Sequence, residues 1–232
     1  MNAIIQKLLP LVLPLIKKKR SWAALIAVAG ISFIATGQIP LEIDRLWKEP
    51  RELLVDRVSA ARDSQQEAAE EFRDALTQFK AVTGFSGGDL ERQYNKLNKA
   101  YKDSKDAAGD ITRRVDRVVA ASNRLLTEWR AELGDYNDPQ LKRLAEQQFD
   151  ETRQRAELLI ASMRKTEQTM QPVLQSFQDQ VLYLKHNLNL SAIASLDEEA
   201  TMIQSNVDML IAEMETSIAE ADEFIRIILA RG

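Results

Sequence analysis

From Leu54 onward the apolar positions recur at alternating steps of three and four. The first such stretch runs Leu54, Val58, Ala61, Gln65, Ala68, Phe72, Ala75, Phe79, Val82. The second begins at Leu90 and Tyr94 and continues through Tyr101, Ile111 and Val118 to Trp129. The third passes through Phe149, Leu159, Met163, Met170, Phe177 and Leu184, and the fourth from Leu196 through Ile203, Leu210 and Phe224 to Ile228. A stripe this narrow, held at a period of about 3.5, is the signature of helices that bury one seam each and wind around one another with a left-handed twist. Pro172 falls inside the third stretch and predicts a kink there.

The breaks between the stripes carry turn chemistry. Gly84 to Asp89 ends the first helix and supplies Asp89 as a cap for the second. Gly134 to Pro139 stops the second, with Asp138 as cap and Pro139 at the first helical position of the third. Asn187-Leu188-Asn189 marks the next break, followed by a short apolar segment around Ile193, and Ser195 with Glu198 has the spacing of a capping box. Helices are therefore expected at 51–83, 89–134, 139–187 and 196–230. Links this short make neighbouring helices antiparallel, and a helix of about 45 residues is nearly 70 Å long. Residues 50–230 are expected to form an elongated antiparallel four-helix coiled-coil bundle in an all-α protein. Alanine, serine and glutamine in the seams leave its core thin, so a homo-oligomer is expected.

Charge separates the N-terminus from the rest. Five of the 31 basic residues but none of the 35 acidic ones precede residue 42. Residues 1–20 read as an interfacial segment, broken by Pro10 and Pro14 and closed by the basic cluster Lys17, Lys18, Lys19 and Arg20. Residues 21–41 carry no charge, and with Trp22, Leu25, Ile26, Phe33 and Ile34 as lipid anchors they are long enough for a transmembrane helix. The basic cluster then orients the chain with its N-terminus cytoplasmic. This predicts a single-pass protein of the bacterial inner membrane with a periplasmic helical domain. A cleaved signal peptide ending near Ala35-Thr36-Gly37 is the alternative.

Composition narrows the chemistry. The 232 residues include no Cys and one His, which excludes disulfides, thiolate chemistry and multi-histidine metal sites. A net charge of −4 argues against nucleic acid as a partner. His186 is the one side chain suited to proton transfer near neutral pH, and it equally suits a helix C-terminus. With Asn187 and Asn189 it forms a candidate partner-binding group. The carboxylate pairs Glu70-Glu71 and Glu213/Glu215 read as solvated helix faces, and Gly87-Gly88 as a turn. Trp129, Tyr94 and Tyr101 lie on a packing seam, and Arg113, Arg114 and Arg117 form a local basic patch. Met163, Met170, Met202, Met209 and Met214 read as adaptable core filler, on faces that can also receive a partner helix. No catalytic, metal-binding or cofactor-binding residues stand out, and a non-enzymatic protein is expected.

Several strings are shared with a known group. Leu54-Val55-Asp56-Arg57-Val58 with Ala61-Arg62-Asp63-Ser64-Gln65, then Gly87-Gly88-Asp89-Leu90, Tyr94-Asn95-Lys96-Leu97-Asn98 and Met170-Gln171-Pro172-Val173-Leu174 through to Asn189 carry the likeness. Over residues 50–228 the chain resembles an uncharacterised proteobacterial coiled-coil family, a domain of unknown function whose members often look like envelope lipoproteins. The resemblance implies an envelope setting and carries no activity. Gln38 stands where a lipidated cysteine would.

The resulting expectation is a membrane-anchored structural or scaffold protein of the bacterial envelope. Its partners would be the lipid bilayer, further copies of itself and an envelope protein. A membrane-shaping helical bundle and an accessory subunit of an envelope complex are the alternatives.

Overall fold

A computed structural model of the chain describes residues 49–85 and 87–230. Almost all of them belong to a single structural unit that begins at Pro50. Its elements in chain order are α1 (Pro50–Thr83), α2 (Leu90–Glu132), a 3₁₀ turn (Leu133–Asp135), α3 (Pro139–His186), α4 (Leu190–Ala194) and α5 (Asp197–Ala230). Among the described residues there is no strand.

The four long helices form a closed ring. Helix α1 packs on α2 and α5, and α3 packs on the same two, so α1 and α3 face each other across the centre. There Phe79 meets Phe177 edge to face, with ring centroids 6.2 Å apart. Ion pairs Arg62–Asp222 and Arg73–Glu215, both 2.6 Å, show α1 and α5 running antiparallel.

The seams account for the core. Every position of the first stripe, from Leu54 to Val82, is buried. Ile111, Met163, Met170, Leu184, Leu210 and Met214 are fully buried. Leu90, Tyr94 and Trp129 are half-buried. Trp129 still packs edge to face on Phe149 at 5.8 Å, with Arg51 over its ring.

Helix boundaries follow from capping. The Asp89 carboxylate accepts from the Arg92 N–H at 2.9 Å, and Asp138 accepts from Gln140 and Leu141. Gly87 and Gly88 have φ of +151° and +114°, which only a residue without Cβ adopts freely. Asn189 caps α4 through the Ala192 N–H at 2.9 Å. The expected capping box is not formed by Ser195. That residue is helical (φ −78°, ψ −6°) and donates its hydroxyl to the Ala192 carbonyl at 2.7 Å instead. Helix α3 continues through Pro172, which lies on its exposed face.

The interior is not wholly apolar. The Ser104 hydroxyl lies 3.0 Å from the Glu71 carbonyl, tying α2 to α1. Gln65 and Ser217 are fully buried, and among the described residues neither side chain has a hydrogen-bond partner. Both sit in the stretch of α1 and α5 bracketed by the two ion pairs.

One expectation is corrected. No described helix is long and apolar enough to cross a membrane. Each of the four long helices sets a buried stripe against a charged outer face, so none of them offers an uninterrupted apolar run, and α4 is only five residues long. Among the described residues the architecture supported is the helical bundle alone; no described helix supports the expected transmembrane helix or, with it, the single-pass inner-membrane placement with a periplasmic domain. The segments 1–20 and 21–41, with Lys17, Lys18, Lys19, Arg20, Trp22, Leu25, Ile26, Phe33 and Ile34, lie outside the described residues.

Candidate functional site

Helix α5 carries more apolar surface than the bundle absorbs. Its core stripe runs through Ile203, Val207, Leu210 and Met214, all buried. Beside it, at seven-residue spacing, lie Met202, Met209 and Thr216, all on the exposed surface. Ala212 and Ala219 follow the same spacing. Small side chains there leave space between α5 and α3. The result is an open groove of about 710 Å³, walled by Leu158, Leu159, Phe224 and Ile227 and floored by alanine. Leu158 stands on its edge and is 64% exposed. A smaller hollow of about 220 Å³ continues the groove along Ser162, Thr166 and Met209, sharing Ala212 and Thr216 with it.

The charges along this groove are sorted by helix. Arg155 and Lys165 come from α3, whereas Glu213, Glu215, Glu220 and Glu223 come from α5. Lys165 bridges the hollow to Glu213 at 3.0 Å, and the Thr169 hydroxyl donates to the same carboxylate. Partial burial pushes the Glu213 carboxyl up, but the Thr169 and Lys165 hydrogen bonds outweigh it and hold the group below its ordinary 4.5. Such a carboxylate stabilises the fold above 4.5, and that contribution is lost as pH falls through its lower folded-state value. Glu71 on α1 is shifted the other way, by burial and then by the neighbouring carboxylates of Asp103 and Asp74. Thermal melts between pH 6 and about 3 are expected to show a smaller acid-induced loss for Glu213→Gln than for the native chain. Superimposable profiles would mean that the Lys165–Thr169–Glu213 cluster contributes nothing.

The residues singled out from sequence have other positions. His186 is the exposed last residue of α3. Asn187 follows it, and its side-chain amide donates to the Tyr183 carbonyl at 3.1 Å. Asn189 is the α4 cap. The three share one turn, with both amide side chains bonded to helix ends. By helical rise His186 is about 42 Å along α3 from Leu158, so it has no part in the groove. Arg113 pairs with Asp110 on its own helix. Met163, Met170 and Met214 are core residues, whereas Met202 and Met209 are more than half exposed. Among the described residues no cluster of three or more His, Asp or Glu side chains could hold a metal ion.

Comparison with protein families gives a match over residues 42–228, to the model described as protein of unknown function (DUF2959). The chain belongs to the DUF2959 family. The matched span takes in the ring of helices except the last two residues of α5, so the α3/α5 groove falls within the DUF2959 region. No curated protein matches the chain.

Proposed function

We propose that this DUF2959 member is a non-enzymatic structural or scaffold protein that acts through helix-to-helix contact, with further copies of itself or with a protein partner. One observation carries the reading. The bundle closes its own core and still presents a second apolar groove, with an exposed leucine on its rim. Contiguous exposed apolar surface of this kind is characteristic of interaction sites. The excess of 35 acidic over 31 basic residues supports a protein rather than a nucleic-acid partner. Sedimentation equilibrium on the full chain across micromolar concentrations, combined with covalent crosslinking in cells, tests the proposal. Association into multimers, or a crosslinked protein partner, is the expected result. A strictly monomeric chain that traps no protein would refute it.

A further inference from the structure

We infer that the α3/α5 groove is the face through which two copies of this chain dimerise, about a two-fold axis parallel to the helices. The inference rests on the self-association reading above and names its surface.

The in-chain pair Lys165–Glu213 sets the register between α3 and α5. These helices are antiparallel, so ten residues back along α3 and ten forward along α5 place Arg155 level with Glu223 across the groove. A two-fold axis over the groove, parallel to it, sets α3 of one copy against α5 of the other at unchanged height. Arg155 of each copy then faces the second copy's Glu223, and Lys165 faces the second copy's Glu213. The sorting of positive charge onto α3 and negative charge onto α5 is thus self-complementary under this operation, as a two-fold interface requires. The alternative two-fold, perpendicular to the helices, would set α5 against α5 and oppose carboxylates.

Shape gives the same answer. Leu158 projects from the rim of a groove that is empty of side chains between Ala212, Ala219 and Phe224. The same axis carries each Leu158 towards the second copy's groove, a knob for a hole. The face available is also large enough. Two helices side by side over the length of α5 cover about 50 Å by about 20 Å. That is about 1,000 Å², against about 800 Å² per partner in a typical stable complex.

Because the chain has no native cysteine, single-cysteine variants of the full chain report this geometry cleanly. Mixing R155C chains with E223C chains under mild oxidation detects only contacts between copies. The expected result is a covalent heterodimer formed well above the level from a control mixture of Q66C and D106C, exposed positions on α1 and α2. Leu158→Glu is expected to weaken the dimer about 100-fold, with the helical circular dichroism signal unchanged because Leu158 is exposed. A dimer that survives Leu158→Glu and crosslinks no better at 155/223 than at the control pair would overturn the groove assignment and leave the scaffold reading standing. A chain that stays monomeric and traps no protein would overturn both.

Discussion

Phe79→Ala is expected to lower the unfolding free energy by about 3–5 kcal/mol and the melting temperature by about 10 °C. Phe79 is fully buried on α1, and its ring meets Phe177 of α3 edge to face across the centre of the ring of helices. These two helices are diagonal neighbours, so their contact depends on side chains long enough to reach the axis. Truncation removes the apolar transfer term and leaves a hole that the packed helices around it close only in part. Thermal and guanidinium melts followed by circular dichroism measure the loss. A double-mutant cycle with Phe177→Ala is expected to show a coupling of about 0.5–1.5 kcal/mol, the worth of an aromatic pair beyond its area. A loss below about 1 kcal/mol in the single variant would show that the two rings do not form the centre of the core.

Gln65→Leu should move stability in the opposite direction, by about 1–3 kcal/mol. Gln65 is wholly buried, and neither end of its amide has a partner among the described residues. Each such group loses its bonds to water on folding and regains none, and leucine fills similar volume without that penalty. Ser217, also buried and unpartnered, lies in the matching stretch of α5. A polar side chain at a core position can also fix register between helices. The variant is therefore expected to melt higher while its acceptance of shifted pairings increases. The first effect is read from the denaturant midpoint, and the second from slower convergence to one hydrogen-exchange pattern on refolding. A midpoint unchanged or lowered by Gln65→Leu would show that the amide is satisfied.

The all-helical bundle was legible because its information is local. Alternation by three and four marks the buried side of a helix without any knowledge of its neighbours, and Leu54, Val58, Phe72 and Phe79 behave accordingly. Asp89, Asp138 and Asn189 act through backbone groups two or three residues away, so their capping was equally readable, with Asn189 needing only the recognition of a short helix. Thr152 and Thr166 were not read as core, although they fall on the same stripe as Phe149 and Met163, because their hydroxyls hide the periodicity. Ser195 misled for a related reason. Its spacing to Glu198 suits a cap, but the backbone stays helical there and the hydroxyl turns back to Ala192.

The groove was harder to see. Met202 and Met209 carry its signal in their seven-residue spacing, one residue off the stripe positions Ile203 and Leu210, but as methionines they read as core filler alongside the buried Met163 and Met214. Leu158 lies one residue off the third stripe, beside the buried Leu159, so its exposure follows from the pattern, whereas the groove it borders on α5 does not. The sorting of charge onto α3 and α5 appears only once those helices are neighbours.

The ring order has a consequence for synthesis. Three of its four sides join long helices that follow one another in the chain, but two of the four, α1/α5 and α3/α5, wait for the last helix to be made. Until α5 leaves the ribosome, the apolar edges of α1 and α3 stay open to any amphipathic helix nearby, including α5 of a chain translated just ahead on the same message. Nascent chains that exchange this last helix would reach the same contacts as a single chain, so the order of elements builds in a route to helix-swapped products that grows with translation density.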